Sequence, residues 1–156
     1  MSAPVIRAEN LVKAYKVKGK PDFVAVDGLS FEVPPGESFG LLGPNGAGKS
    51  TTMKMIGAVS TRTGGALEIL GLDPDAYGPE IRSRLGVVPQ QDNLDGELNA
   101  RENLYMYGRY FGLPAAVCRR KAEELLAFAQ LEDKGSSKVE ALSGGMKRRL
   151  TIARGL

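Results

Sequence analysis

Two stretches near the start of the chain mix apolar and polar residues in the way that half-exposed β-strands do. They are residues 5–15 (VIRAENLVKAY) and 24–33 (VAVDGLSFEV). The polar segment KVKGKPDF separates them, and PPGE follows the second one. Because glycine and proline favour turns over strand interiors, we expect two strands, a loop between them and a turn after them.

Three shorter stretches also predict strands. Residues 38–43 (SFGLLG) form a short apolar run, which is typical of a strand buried on both faces of a parallel sheet. The other two candidates are residues 66–70 (ALEIL) and 85–88 (LGVV).

Helical patterns occur after the glycine-rich stretch in the middle of the chain and again from about residue 98 onward. Residues 49–59 (KSTTMKMIGAV) predict the first helix. Asn99 is a favourable N-cap and Glu102 follows it three residues later, a capping-box spacing that predicts a helix start.

Two more helices are predicted near the end of the chain. The first begins at Pro114 and has an apolar stripe made of Ala122, Leu125, Leu126 and Ala129. The second begins at Ser143 and places on one face Met146, Leu150 and Ala153. The pattern is therefore mixed α/β first and helical later, within a length of 156 residues that suits one domain with a sizeable core.

Composition excludes several kinds of chemistry. The chain contains no histidine, which rules out histidine metal ligands and a Ser-His-Asp triad within it. Its one cysteine, Cys118, cannot form an internal disulfide and fits a reducing compartment. The net charge of +3 is too small to indicate nucleic acid as a partner. No apolar run approaches the roughly 20 residues of a membrane span or resembles a signal peptide.

Residues 43–51 (GPNGAGKST) match the phosphate-loop pattern G-x-x-x-x-G-K-[ST]. Glycines let backbone N–H groups converge on phosphate oxygens, and Lys49 supplies a positive charge for the β- and γ-phosphates. The Ser50 hydroxyl suits Mg²⁺, and Thr51 suits the α-phosphate. A glycine-rich turn before a helix is the alternative, but chance gives this pattern in only about one chain of this length in two hundred.

Two further motifs accompany this loop, LSGGMKRRL from residue 142 and GVVPQQDNL from residue 86. With them the chain resembles the ATP-binding cassette (ABC) ATPases over nearly all of residues 5–156. The resemblance implies an α/β fold with a P-loop NTPase (RecA-like) core, an antiparallel β subdomain and a helical subdomain. It places the β-rich ATP-binding core at about residues 1–90 and the helical, signature-bearing part at about residues 98–156.

The resemblance also implies roles for individual residues, with ATP and Mg²⁺ as the cofactors. The phosphate loop would hold ATP through Gly43, Pro44, Asn45, Gly46, Ala47, Gly48, Lys49, Ser50 and Thr51. Tyr15 would stack on adenine, although a tyrosine at a strand end is often only part of the rim. Gln90 would contact Mg²⁺ or the attacking water, with its neighbour Gln91 as the alternative register.

Ser143, Gly144, Gly145 and Met146 correspond to the family's signature motif. A serine-capped helix start with two glycines forms a second cradle of N–H groups, which the family closes over the γ-phosphate of a partner subunit. Two ATP molecules would then lie between two copies of the chain. A plain surface helix is the alternative, and the charges of Lys147, Arg148 and Arg149 fit a solvated face.

The family's Walker B strand, D-loop and histidine switch have no counterpart in this sequence. Walker B is an apolar strand that ends in Asp-Glu and supplies a Mg²⁺-holding carboxylate and the base that polarises water. We therefore expect these 156 residues to be an N-terminal piece of a longer ATPase, with nucleotide binding but negligible hydrolysis.

Residues 89–114 resemble the branch of the family that exports drugs and nodulation factors. This branch implies an integral membrane permease as partner and a place on the cytoplasmic face of the membrane, with no nucleic acid involved. Three alternatives stay open: a non-transport ABC ATPase acting on ribosomes or DNA, a P-loop kinase or GTPase, and a non-catalytic ATP-binding regulator.

Overall fold

A computed structural model describes residues 3–156. Their contacts form two compact units, the first ending at Leu85 and the second running from Gly86 to Leu156. The first unit holds a three-stranded sheet and two helices, and the second is helical. The predicted mixed α/β character is confirmed.

The sheet is antiparallel, in the order β2-β1-β3. Its strands are β1 (Ile6–Tyr15), β2 (Phe23–Val33) and β3 (Gly64–Ile69). The strands predicted at residues 5–15, 24–33 and 66–70 are confirmed. Strand β1 is irregular, because its register shifts between Ala8 and Leu11, where Asn10 has a φ of 47°. This bulge turns Leu11 and Lys13 toward the buried side, whereas strict alternation from Ala8 would bury residue 10.

Two helices pack in the first unit, α1 (Lys49–Ile56) and α2 (Gly78–Arg82). Met55 of α1 and Ile81 of α2 are fully buried in one cluster with Leu11, Leu67 and Ile69 of the sheet. The helix predicted at 49–59 is confirmed, but it stops at Gly57. The short helix α2 was not predicted, since its five residues are too few to display a helical period.

Two strand predictions were wrong. Residues 38–43 form no strand, and Phe39 and Leu42 are 50% and 94% exposed. A strand buried on both faces needs hydrogen-bonded strands beside it. The described sheet contains β1, β2 and β3, and residues 38–43 pair with none of them. Phe39 instead stacks on Phe31 of β2, with ring centroids 5.0 Å apart. Residues 85–88 are also irregular and mostly exposed.

An ion pair fastens the loop that follows β3. The Arg62 guanidinium donates two hydrogen bonds to the Asp73 carboxylate, at 2.8 and 2.7 Å. These bonds, with the Asp75 N–H donating to the same carboxylate, lower the pKa of Asp73 to about 2. Asp73 is therefore ionised at neutral pH, and its carboxylate holds the loop through Arg62.

The second unit contains α3 (Ala100–Tyr110), α4 (Ala115–Phe128) and α5 (Gly144–Arg154). Short 3₁₀ turns at Glu132–Lys134 and Val139–Ala141 connect α4 to α5. The predicted apolar stripes meet in one buried cluster that includes Ala122, Leu126, Ala129, Leu150 and Ala153. Within residues 3–156, no helix has both the length and the apolar character needed to cross a membrane.

The predicted helix starts are confirmed in detail. Asn99 accepts a hydrogen bond from the Glu102 N–H, and the Glu102 carboxylate accepts one from the Asn99 N–H. Pro114 is the N-cap of α4, and Ser143 is the N-cap of α5. Each of these features is local in sequence, which is why the pattern could predict it.

Candidate functional site

The glycine-rich loop leads directly into α1, which begins at Lys49 with Gly48 as its N-cap. Gly48 has a φ of 82°, a left-handed conformation that side-chain-bearing residues rarely adopt. A Cβ at this position would also overlap the carbonyl oxygen of Ala25 in β2. Glycine is therefore required here both by the backbone conformation and by the close approach of the loop to the sheet.

Lys49 folds its ammonium group back into the loop. Its Nζ donates to the carbonyl oxygens of Gly43 and Pro44, each at 2.7 Å. A turn closed by the Ala47 N–H and the Pro44 carbonyl, at 3.2 Å, shapes the segment between them. The loop thus surrounds a single positive charge, and most of its residues, including Asn45 and Gly46, are exposed.

The first turn of α1 is open to an anion. The helix contains no acidic residue in that turn, and its first intrahelical bond runs from the Thr52 N–H to the Gly48 carbonyl at 2.8 Å. The N–H groups of Lys49, Ser50 and Thr51 therefore have no partner within the helix. Ser50 is exposed, so its hydroxyl is also accessible. Unpaired N–H groups, a helix dipole and a lysine are together a suitable cradle for phosphate.

Tyr15 lies at the end of β1, opposite Phe23 of β2. It is exposed at the surface, and the Nζ of Lys13 lies 5.1 Å from the centre of its ring. Large apolar residues around this strand end are exposed, among them Val17, Phe23 and Val24. A partly exposed ring in an apolar surface is a suitable place for a flat base.

A bulge in β2 connects the Tyr15 strand end to the phosphate loop. Lys13 pairs with Val26 and Ala14 pairs with Val24, so Ala25 is the extra residue of β2. This is the residue whose carbonyl oxygen abuts Gly48. The first unit therefore brings two of the predicted elements, Tyr15 and the phosphate loop, to the same part of its sheet.

The second unit contains the other predicted residues. The Ser143 hydroxyl oxygen accepts a hydrogen bond from the Met146 N–H at 3.3 Å, which caps α5. Gly144 and Gly145 are exposed, and a Cβ added at either would meet no atom within 4 Å. The predicted open cradle at this helix start is consistent with that geometry.

Gln90 is exposed and belongs to a segment, residues 89–93, that α5 holds in place. We name it the Gln90 segment. Arg148 donates to the Pro89 carbonyl at 2.6 Å, and Arg154 donates to the Asn93 carbonyl. Between them, the Thr151 hydroxyl has two acceptors for its one proton, the Asp92 carboxylate at 3.2 Å and the Lys147 carbonyl of its own helix at 2.9 Å.

The chain just before this segment also lies against α5. A Cβ on Gly86 would overlap the carbonyl oxygen of Gly155, at the C-cap of the helix. The same element that begins with the signature residues therefore supports the segment that contains Gln90.

Sequence reasoning missed the supporting residues. Arg148 is exposed, as expected for a solvated helix face, and its guanidinium also donates to a carbonyl 59 residues away. The spacing of Arg148, Thr151 and Arg154 by three residues does indicate one face of a helix, but no pattern indicates what that face contacts. Lys13 lies two residues before Tyr15, and this spacing was the available sign of its position.

Within the described residues, the structure shows no cluster of side chains suited to hold a metal ion. Among residues 3–156, no group of three or more Cys, Asp or Glu side chains is placed to hold an ion.

A family model described as "ABC transporter" matches residues 26–156. The Nod factor export ATP-binding protein I of Ralstonia nicotianae is 49% identical over 155 residues, which cover 99% of this chain and 47% of that protein. Its counterpart in Paraburkholderia xenovorans is 49% identical over 156 residues, covering 100% and 50%. The chain thus spans about half the length of the curated relatives it matches.

Among solved structures, the chain is similar to the dimeric ATP-binding cassette MJ0796 in a post-hydrolysis state bound to ADP and Pi. The TM-score is 0.83 at 31% identity, over 97% of this chain and 68% of that one. This likeness confirms the predicted P-loop NTPase fold class. With the phosphate loop and the signature-bearing helix in place, these matches show that the chain belongs to the ABC transporter family.

Proposed function

We propose that this chain is the ATP-binding part of an ABC transporter subunit that powers export. One observation supports this most directly: the ammonium group of Lys49 lies within a glycine-lined loop at the start of α1, 2.7 Å from two loop carbonyls. Carbonyl oxygens are weaker partners for an ammonium group than phosphate oxygens are. An incoming triphosphate would therefore displace them and take the charge that the loop already holds.

The residues around the loop divide the work of holding ATP and Mg²⁺. Gly46, Ala47 and Gly48 present backbone N–H groups, and Lys49 offers its charge to the β- and γ-phosphates. Ser50 offers its hydroxyl to Mg²⁺, and Thr51 offers its N–H and hydroxyl to the α-phosphate. The metal, when bound, neutralises phosphate charge and orients the γ-phosphoryl group.

In this proposal Gln90 contacts Mg²⁺ or the attacking water through its side-chain carbonyl oxygen. Its exposure leaves that oxygen accessible. The hydrogen bonds from α5 to Pro89 and Asn93 limit how far Gln90 can move.

Ser143, Gly144, Gly145 and Met146 act on a nucleotide held by a second copy of the subunit. Their helix start is capped, exposed and free of acidic residues in its first turn. The structural relative MJ0796 is named as dimeric and bound to ADP and Pi, which supports the same assembly here.

The names of the relatives, Nod factor export ATP-binding proteins, support export as the direction of transport. A permease in the membrane would be the partner, and the subunit would work at the cytoplasmic face. The second unit offers a surface for that partner, a groove of about 270 Å³. Apolar and polar residues line it together: Leu94, Leu98, Met106, Tyr107 and Tyr110 with Asn93, Asp95, Asn103 and Arg154. Apolar and aromatic residues of this kind are typical of protein interfaces.

Hydrolysis by these 156 residues alone should be negligible. Residues 144–156 contain neither Asp nor Glu, so the acidic pair that the family places after its signature helix is not among them. Such a base would accept the proton of the attacking water. We therefore expect these residues to bind ATP without hydrolysing it at an appreciable rate.

The experiment compares ATP binding by the wild-type chain, Lys49→Ala and Lys54→Ala. Both lysines belong to α1, and both changes remove one charge, but Lys54 lies in the last turn and is exposed. We expect Lys49→Ala to weaken Mg-ATP binding at least about tenfold, since a charge-assisted contact is worth about 1.5–3 kcal/mol. Lys54→Ala should bind Mg-ATP with the affinity of the wild type. Isothermal titration calorimetry measures the affinity of all three proteins.

Phosphate release measured on the same samples tests the second part of the proposal. The wild-type rate should not exceed that of Lys49→Ala. Equal ATP affinity of the two lysine variants would contradict the phosphate-loop assignment, and a turnover that depends on Lys49 would contradict the predicted lack of hydrolysis.

A further inference from the structure

Lys13 is a charged residue that is almost fully buried in the first unit, with 8% of its surface exposed. Its Nζ donates to the carbonyl oxygen of Thr61 at 2.5 Å. It also lies over the ring of Tyr15, whose centre is 5.1 Å from the Nζ. Burial of an ammonium group costs free energy unless favourable contacts offset that cost. We therefore expect Lys13 to keep both its hydrogen bond to Thr61 and its contact with the Tyr15 ring.

Tyr15 has few other restraints. It is the last residue of β1, next to a loop that contains Lys16, Lys18 and Lys20, and it is 39% exposed. A ring at a strand end in this setting would sample several rotamers if nothing held it. The ammonium group of Lys13 favours the rotamer in which one ring face covers it.

The backbone around Lys13 is itself fixed. The Thr63 N–H donates to the Val12 carbonyl at 2.9 Å, and the Ala14 N–H donates to the Thr63 hydroxyl at 2.9 Å. Residues 12–14 are therefore bound to the segment 61–63, which follows the phosphate-loop helix in sequence. The Lys13 side chain is hydrogen-bonded to this segment at Thr61, so both its backbone and its ammonium group are held in place beside Tyr15.

We propose that Lys13 is a positioning residue for the base of ATP. It occupies one face of the Tyr15 ring and thereby sets the other face for adenine. The inference rests on the proposed function, because it needs Tyr15 to be the base platform. The inference goes further by naming what orients the Tyr15 ring. Lys13 acts on that ring and not on the phosphates of ATP.

A double-mutant cycle tests this coupling with Lys13→Met, Tyr15→Leu and the double variant. Each is titrated with Mg-ATP and, separately, with Mg-tripolyphosphate, which has no base. We expect Lys13→Met to weaken ATP binding about three- to tenfold, in line with a cation–π contact that is partly desolvated. Tripolyphosphate binding should be unchanged, and in the Tyr15→Leu background the effect of Lys13→Met on ATP should disappear.

Lys13→Arg is the conservative control, because a guanidinium group also binds an aromatic face and a carbonyl oxygen. It should restore most of the ATP affinity. A purely structural role for Lys13 would instead weaken ATP and tripolyphosphate alike and would persist without Tyr15. Either of those results overturns the proposal.

A nucleotide-free measurement keeps the test valid if Lys13→Met fails to fold. In the wild-type chain the Tyr15 ring current should shift the Lys13 side-chain proton resonances upfield. Tyr15→Leu should remove that shift, and its persistence would overturn the proposal. The proposed function is judged separately, by the ATP affinity of the wild-type chain and its loss in Lys49→Ala.

Discussion

Gly48 shows how a single residue determines the shape of the phosphate loop. It combines a φ of 82° with a backbone contact to Ala25 that leaves no room for a Cβ. Gly36 is a matched control within the same unit, because it has a φ of 77° and nothing within 4 Å of its Cβ position. Substitution of the two glycines therefore separates the cost of the backbone conformation from the cost of the close approach.

We expect Gly36→Ala to lower the free energy of unfolding by about 1–2 kcal/mol, the cost of a left-handed alanine. Gly48→Ala should cost at least about 2 kcal/mol more, because the Ala25 carbonyl must move. Urea denaturation followed by circular dichroism measures both values. Equal losses would show that the loop tolerates a side chain next to Ala25.

At the scale of the element, α5 combines two tasks. It begins at the Ser143 cap, and Arg148, Thr151 and Arg154 on one of its faces contact the Gln90 segment. In the proposed function, these tasks concern the partner's nucleotide and the chain's own. Displacement of the helix would therefore be transmitted to Gln90 through side chains that lie one helical turn apart.

Arg148→Ala should loosen the Gln90 segment without unfolding the unit. Loss of one charge-assisted hydrogen bond at an exposed position is worth about 1 kcal/mol, so the backbone order parameters of residues 90–93 should fall from about 0.85 toward about 0.6. Arg120→Ala on α4 is the control, since Arg120 is exposed and pairs with Glu124 on its own helix. NMR relaxation of backbone ¹⁵N nuclei provides the measurement. Unchanged order parameters after Arg148→Ala would mean that Pro89 is held by other contacts.

Elements whose signals are local could be predicted from the sequence, and those that depend on distant neighbours could not. The capping box at Asn99 and Glu102 and the Ser143 cap each involve residues three apart. By contrast, the apolar run 38–43 has the composition of a buried strand but finds no ladder in the described sheet. Strand formation there depends on pairing, which composition does not encode.

For the whole molecule, the same distinction applies to the candidate site. The phosphate loop was predictable because its chemistry occupies nine adjacent residues, 43–51. The support around it was not, since Ala25 meets Gly48 and Lys13 meets Thr61 only after the chain has folded. The motif therefore indicates the ligand, and the fold determines how the neighbouring residues orient it.

The proposed assembly of two copies gives a final prediction at this scale. If Ser143 closes over a nucleotide held by a second copy, Mg-ATP should drive association of the chain, and Ser143→Glu should prevent it by placing a negative charge against the γ-phosphate. Ser136→Glu is the matched control, because Ser136 is also exposed in the second unit and already accepts a hydrogen bond from Arg101.

Sedimentation velocity with Mg-ATP, Mg-ADP and no nucleotide distinguishes the outcomes. The wild type and Ser136→Glu should dimerise with ATP and remain monomeric with ADP, since the γ-phosphate is the group shared between the copies. Ser143→Glu should remain monomeric in all three while it binds ATP with wild-type affinity, because its own phosphate loop is intact. Dimerisation of Ser143→Glu with ATP would show that the copies associate through another surface.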